Sequence, residues 1–486
     1  MASHTRQGAG EPSASPVLSR YEQRGIEPVP ENERHGNPLE LFWVWFAANI
    51  SILGIPLGAT LVGLGLNVWQ AVFVAAVGSF GSFAIVGVIS IAGRRGGAPS
   101  LTLSRASFGV RGNIGPTLVS LGSRLGWETV NTATAAFALL SLSTIVFGTE
   151  PDAHHTPVLA IACIMVFVAL TVAVSGMGHA MILVVQKWAT WIFGALNIAV
   201  AAYLVTTVDW DAVTAAPAAP VSAMVVGIGV IAGGTGIGWA NAGADMSRYQ
   251  APSVRARSLI ASASAGAGIP LVLVIGLGSL LSAGDSDLAS AADPVAAVRE
   301  MLPAWVAVPY LIAAFGGLLL SNHLSVYSAG LTTLTLGFRF RRVYAVVLDV
   351  VVTTAGATYF ILIADSFYGP FVTFISLLAV PITAWVAVFL ADMWRRPAYD
   401  PESLLDLRAS SAYWYRGGFE PRACVAWLAG IVVGYLFTTA QVSASEVWFT
   451  GLLADTWLGE NGLGWLVAFV VSGALHLAMA GRRTRV

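Results

Sequence analysis

The stretch "VIAGGTGIGWANAGADMSRYQ", Val230–Gln250, lies in an apolar run long enough to cross a bilayer, yet four of the six residues from Gly233 to Gly238 are glycine. It closes on Asp245, Arg248 and Tyr249. A second stretch, "FWVWFAANISILGIPLGATLVGLG" from Phe42 to Gly65, is interrupted in the same way by Gly54, Pro56 and Gly58. Proline removes a backbone donor and clashes one turn back, while glycine tolerates unusual dihedrals, so both crossings are weak near their middles. Backbone groups freed at membrane depth are tolerated beside a polar cavity, an ion or a substrate. Glycines can also serve close helix packing alone. A matched pair of interrupted crossings, one in each half of the chain, favours a binding site between them.

The rest of the composition fits a chain that lies mostly in lipid. Hydrophobic residues make up 56%, charged residues 10%, and the mean hydropathy is +0.74. A soluble chain of 486 residues needs far more charge to cover its surface. With a net charge of −1, nothing points to a nucleic-acid partner. Cys163 and Cys424 stand far apart in apolar runs and read as packing residues. Residues 1–38 are polar, rich in Pro, Glu, Ser and Gly, and have no apolar signal-peptide core. They read as a disordered cytoplasmic tail.

A helix needs about 20 mostly apolar residues to cross the hydrocarbon core. Scanning at that length predicts twelve spans, at 41–65, 69–92, 113–146, 157–175, 181–207, 221–243, 258–282, 303–336, 343–363, 367–391, 423–441 and 463–481. With the N-terminus inside, every Lys and Arg except Arg124 and Arg299 falls on the cytoplasmic side, so both termini are expected there. The two weak spans are the first and the sixth. Five is odd, so spans 1–5 and 6–10 enter from opposite faces, as inverted repeats do. The organisation expected is a tail over 1–38, one repeat over 39–207 and a second over 221–391. A cytoplasmic loop over 392–422 and two further helices with a short tail over 423–486 complete it.

Five segments, in order, carry a resemblance: "GIEPVPENERHGNPLELFWVWFAANISILGIPLGA", "GWETVNT", "GWANAGADMSRYQAP", "SNHLSVYSAGL" and "YWYRGGFEPRACVAWLAGI". Over nearly its whole length the chain resembles the nucleobase–cation symporter-1 family, in its purine–cytosine permease branch. The resemblance implies an all-α membrane protein of twelve helices, with the leucine-transporter-type five-plus-five inverted repeat and two C-terminal helices. It further implies a symporter importing a nucleobase such as cytosine or a purine across the plasma membrane, coupled to H⁺ or Na⁺ and needing no cofactor. The importer is expected to act as a monomer. Allantoin, hydantoin, thiamine or pyridoxine-like rings are the alternative cargoes. An intramembrane enzyme or a channel is a more remote reading.

The candidate site is assembled residue by residue. Trp127 and Asn131 lie four apart and share a helix face. An indole offers a stacking platform and an amide offers both a donor and an acceptor to a heterocycle's edge. The family's stacking tryptophan and its amide partner fall on these two. The family's second aromatic wall, nine residues before Asp245, falls on Gly236, so Trp239 is the substitute wall, with the amides of Gly234, Gly236 and Gly238 facing the base. Ser321, Asn322 and Ser325 of span 8 are expected to face the cavity as well, since buried polar groups need partners. The family's cation site, between spans 1 and 8, maps onto Asn49, Ile52, Leu53, Gly317 and Ser321; Leu320 stands where a second hydroxyl is wanted, which leaves H⁺ and Na⁺ both open. His323 reads as a packing residue or a titrating group. Glu128 beside Trp127 reads first as the partner of Arg124 in an i,i+4 ion pair, and otherwise as a proton acceptor. Asp245 and Arg248 are expected to form a gate or a helix-end ion pair.

Overall fold

The computed structural model describes residues 24–150, 152–175, 179–283, 294–338, 342–364, 368–442 and 446–479. Its order is α1 (Pro38–Asn49), α2 (Gly54–Gly63), α3 (Val68–Gly96), α4 (Ser100–Phe108), α5 (Ile114–Phe147), α6 (Pro157–Ser175), α7 (His179–Thr207), α8 (Trp210–Ala215) and α9 (Val221–Ala232). It continues with α10 (Ala256–Ser282), α11 (Pro294–Glu300), α12 (Ala304–Thr335), α13 (Arg342–Leu362), α14 (Tyr368–Arg395), α15 (Pro401–Leu405) and α16 (Pro421–Leu436). A hairpin, β1 (Thr439–Gln441) with β2 (Val447–Thr450), then α17 (Trp457–Glu460) and α18 (Gly464–Met479) complete it. The fold is the mainly helical twelve-crossing architecture with a five-plus-five inverted repeat. Helices in corresponding places of the two repeats pack on one another: α3 on α10, α5 on α12 and α6 on α13.

Span 1 is split. Asn37 caps α1 by accepting from the Leu39 and Glu40 amides, with Glu40 reaching back in a capping box and Pro38 at the first turn. Helical bonding stops at Asn49 and resumes at Gly54, and the two halves meet at 65°. The break therefore falls over residues 50–53, upstream of the Gly54–Pro56–Gly58 cluster that signalled it. Pro56 sits in the first turn of α2, where its missing N–H is no loss. The glycines serve packing instead. A Cβ on Gly58 would lie 2.1 Å from the Ile275 carbonyl oxygen, and one on Gly278 would lie 2.2 Å from that of Ile55. Gly54 meets Val274 in the same way, at 2.9 Å. This seam locks α2 onto α10.

Span 6 loosens rather than kinks. The α-helix ends at Ala232, Gly233–Ile237 form a π turn, Ala240–Ala242 a 3₁₀ turn, and turns continue to Tyr249. Widened turns of this kind occur at functional sites.

Three other boundaries differ from expectation. Residues 93–112 are no open loop: every residue of α4 is buried. Span 11 stops at Leu436, short of 441, because the chain turns into the β1–β2 hairpin. Of the expected 1–38 tail, residues 1–23 lie outside the described set, while 24–37 are tied down. Val29 N–H donates to Gly97 O at 2.8 Å, Gly36 N–H to Tyr249 O at 2.9 Å, and Ala251 N–H to Gly36 O at 3.0 Å.

The seam sets a stability test. Gly58→Ala overpacks backbone against backbone, a class of change costing ~1–3 kcal/mol or more. It should lower the melting temperature in detergent. Gly81→Ala, in α3 with open space around the site, should not. Equal melting temperatures would contradict the seam.

Candidate functional site

Between the loosened parts of spans 1 and 6 lies a cavity of about 50 Å³. Trp127 and Asn131 of α5, Gly234, Thr235 and Trp239 of span 6, and Ser321 of α12 line it. Asn49, Ser51, Leu53, Gly54 and Leu57 of span 1 close the other side. A single water needs roughly 10–15 Å³ of such space, so in this conformation the cavity has room for a few waters. A second cavity of about 150 Å³ shares Leu57 and Gly234 with it and continues past Thr60, Ile375 and Trp465. These two residues form the partition between the spaces.

Each polar group has a traceable reason for its place. Trp127 turns toward span 6, its Nε1 3.1 Å from where a Cβ on Gly238 would stand; glycine there lets the indole in. Asn131 Nδ2 donates to Asn322 Oδ1 at 3.4 Å, and Asn322 Nδ2 donates to Thr171 Oγ1 at 3.2 Å. Asn131 lines the cavity, and its Oδ1 is buried with no partner among the described residues. Trp239 meets Trp45 edge-on, 5.5 Å between centroids at 71°, and carries the Arg124 guanidinium 4.4 Å over its ring.

Several expected roles are revised. Gly236 is not in the lining of the central cavity: a Cβ there would stand 2.4 Å from the Ser82 carbonyl carbon, and its amide donates to Ser82 Oγ at 3.2 Å. No aromatic wall fits at that position, and its amide is spent. The carbonyl of Gly238 accepts from Arg124 Nη2. Arg124 and Glu128 do not form the expected ion pair. Arg124 turns to Gly238 and Trp239, while Glu128 Oε1 accepts from Ser325 Oγ at 3.1 Å. Ser325 and Asn322 therefore stand behind the lining, holding Glu128 and Asn131.

One face of the protein, where residues 24–37 lie, is sealed by buried polar contacts. Asp245 accepts from the Ser100 amide at 2.8 Å and from Ser328 Oγ at 2.6 Å. Arg248 donates to Gly25 O at 2.7 Å and to Tyr327 Oη at 2.8 Å. Arg105 donates to the Leu404 and Thr335 carbonyls at 2.6 Å each; burial draws its guanidinium down to about 10, so it stays charged at neutral pH. Asp245 and Arg248 thus each tie span 6 to other elements: α4 and α12 for Asp245, α12 and the N-terminal segment for Arg248.

The family of permeases for cytosine and purines, uracil, thiamine and allantoin matches residues 28–476. The chain belongs to this family. It is 24% identical over 479 residues to the Bacillus subtilis protein named "Putative purine-cytosine permease YxlA", covering 96% of this chain and 97% of the relative. It is 25% identical over 455 residues to purine-cytosine permease FCY2 of Saccharomyces cerevisiae, covering 91% and 80%. Its fold matches that of Mhp1, a nucleobase-cation-symport-1 family transporter, in a closed conformation with bromovinylhydantoin bound: TM-score 0.71, 19% identity, 93% of this chain and 94% of the other. The inward-facing conformation of Mhp1 gives 0.67 at 19% identity, covering 94% of each. The protein is a multi-pass membrane transporter of the nucleobase type.

In this permease the residues expected to hold a cation divide. Asn49, Leu53 and Ser321 line the central cavity, although Asn49 Nδ2 is bonded to the Trp45 carbonyl at 2.8 Å. Ile52 stands outside the cavity lining: its side chain joins an apolar cluster, and its carbonyl accepts from Ile55 N–H at 2.9 Å. The Ile50 carbonyl of span 1 packs on Gly317 of α12, 2.4 Å from where a Cβ there would stand. The Leu320 carbonyl accepts from Gln186 Nε2 at 3.4 Å. Ser51 and Thr235 line the cavity without having been singled out; their signal was a hydroxyl inside an interrupted apolar run. Among the described residues no three His, Cys, Asp or Glu side chains converge as a metal requires.

A larger apolar cavity of about 380 Å³ lies among α2, α7, α10 and α12. Its one amide, Asn197, donates to the Phe193 carbonyl at 2.8 Å, and the lining is otherwise almost wholly apolar.

The seal predicts a conformational bias. Asp245→Ala removes two buried acceptor contacts, each of a kind worth about 1–3 kcal/mol when a partner is orphaned. In a background lacking Cys163 and Cys424 and carrying Ser321→Cys, this change should speed labelling by a membrane-impermeant maleimide from the face bearing residues 24–37. An unchanged rate would contradict the seal.

Proposed function

We propose that this permease imports a nucleobase, cytosine or a purine, across the plasma membrane by symport with H⁺ or Na⁺, acting as a monomer with both termini in the cytoplasm. The ring lies on Trp127, and Asn131 reads its edge. The observation that carries this reading is the meeting of Trp127, Asn131 and Ser321 with the loosened backbone of spans 1 and 6 around one cavity.

The geometry suggests how the cycle runs. The central cavity is narrow in this conformation, and a ring gains room in it as α1–α2 and span 6 part from α5 and α12. Leu57 and Gly234 separate it from the second cavity on one side. The contacts of Asp245, Arg248 and Arg105 hold the other side shut. Alternating the two barriers moves a bound ring across without opening a continuous pore. For sodium, Ser321 Oγ, Leu53 and the Ile50 carbonyl next to Gly317 are the candidate oxygens at the span 1–α12 contact.

Other flat heterocycles form the second reading. Gly236 leaves no second aromatic wall opposite Trp127, and Trp239 is already covered on one face by Arg124. A pocket whose platform is Trp127 and whose amide is Asn131 also suits allantoin, hydantoin, thiamine or pyridoxine-like rings. Uptake of cytosine, adenine, guanine, uracil, allantoin and hydantoin into cells lacking their own permeases separates the readings.

Trp127→Ala should weaken the transported base by ~5–150-fold in apparent affinity, the equivalent of losing ~1–3 kcal/mol of stacking. Binding that survives this change intact would remove Trp127 from the site. Saturable counterflow of labelled cytosine in proteoliposomes distinguishes a carrier from a channel.

A further inference from the structure

We propose that Glu128 is the proton carrier of this transporter: it holds its proton while Arg124 is engaged by span 6, and releases it when Arg124 swings back one turn to pair with it. The proposal rests on the symporter reading above and names the coupling ion and its seat.

The starting point is a mismatch. Glu128 is fully buried at mid-membrane, next in sequence to Trp127 and one turn before Asn131. Its Oε1 accepts from Ser325 Oγ, and its Oε2 has no partner among the described residues. No cation lies within ion-pairing distance of it among those residues. A carboxylate in that position would be an uncompensated charge in the membrane interior, which the carboxylic acid avoids. The natural counter-ion, Arg124, is four residues away on the same helix, where side chains are neighbours. It is instead bonded to the Gly238 carbonyl and laid over Trp239, with Nε and Nη1 unpartnered among the described residues. Arg124 thus has two alternative perches: the span 6 backbone, which lines the substrate cavity, or Glu128.

The other charges around Glu128 fit this arrangement. Asp349 of α13 repels a negative charge at Glu128, and Arg124 of α5 attracts one. Asp245 of span 6 acts on Arg124. α12 contributes Ser325 as donor, while His323, on the same helix, faces the Leu170 backbone of α6. Of the other buried acids, Asp245 takes both Ser100 and Ser328. Asp349, on α13, accepts from Thr333 Oγ1 at 3.2 Å and, like Glu128, has one oxygen with no partner among the described residues. Glu128 is set apart by Arg124 one turn away on its own helix and by Trp127 beside it.

The step balances simply. On the outer side, water delivers a proton to Glu128 as Arg124 moves to Gly238 and the pocket closes. On the inner side, span 6 shifts, Arg124 pairs with the carboxyl, and the O–H proton leaves to water. No other bond is made or broken. The link to cargo is spatial: a ring entering beside Trp239 meets the surface that holds Arg124, and Glu128 and Asn131 share one helix turn.

The test uses the purified transporter in liposomes with labelled cytosine, or the panel heterocycle that exchanges fastest. One pH unit can drive up to about tenfold accumulation for one proton. Wild type should accumulate the base on an inward proton gradient without sodium. Glu128→Gln should keep base-for-base exchange but equilibrate without accumulation, and His323→Gln should behave as wild type. Accumulation by Glu128→Gln equal to wild type would overturn the proposal. So would a wild type that ignores pH and follows a sodium gradient, or a His323→Gln that loses coupling. Should Glu128→Gln lose exchange too, Glu128→Asp restoring pH-driven uptake supports the proposal, and failure to restore it overturns it. Wild type that exchanges no heterocycle refutes the symporter reading itself, a separate outcome.

Discussion

A backbone amide or carbonyl inside a membrane must find its partner within the protein, and this structure is organised around two places where a plain α-helix does not supply one. Residues 50–53 of span 1 have left helical bonding, and span 6 passes from α through π to 3₁₀ turns. Such backbone is tolerated only next to something polar. The cavity between Trp127, Asn131, Thr235 and Ser321 is that neighbour. The rest of the fold holds these two weak points in register.

Glycine does this holding more than it does the breaking. Gly58 and Gly278 let α2 and α10 touch backbone to backbone, Gly236 lets span 6 lie on the Ser82 backbone of α3, and Gly317 lets α12 reach the Ile50 carbonyl. Each contact fixes one wall of the site without crossing it. The polar groups then divide by depth. Near mid-membrane, Glu128, Asn131, Ser325 and Asn322 form short hydrogen-bonded links between α5 and α12. Toward the face bearing residues 24–37, Asp245, Arg248 and Arg105 close the exit through backbone and hydroxyl partners rather than through ion pairs with one another. A closure built of many modest bonds can open without breaking one dominant contact.

Much of this was legible in the residues. Hydropathy at the twenty-residue scale located the crossings, because lipid imposes their length. Gly and Pro in spans 1 and 6 marked the irregular pair, and the four-residue spacing of Trp127 and Asn131 put both on the cavity side. The shortfall has physical causes. The break in span 1 moved to residues 50–53 because the Gly–Pro cluster was answering to α10. Helical spacing shows that Arg124 can reach Glu128, but not that a freed carbonyl at Gly238 and the face of Trp239 compete for it. Burial of α4 and the hairpin after Leu436 come from tertiary contacts that a linear hydropathy scan does not contain.

The central claim is that the two irregular crossings and Trp127 enclose the substrate. A structure of the transporter with cytosine or another exchanging heterocycle bound, determined by electron cryo-microscopy in lipid, tests it most directly. The account predicts a ring stacked on the Trp127 indole, its edge toward Asn131, in a central cavity enlarged by movement of residues 50–53 and 233–238. A ring seated in the apolar cavity beside Asn197 and Tyr310, with the space at Trp127 still closed, would contradict it.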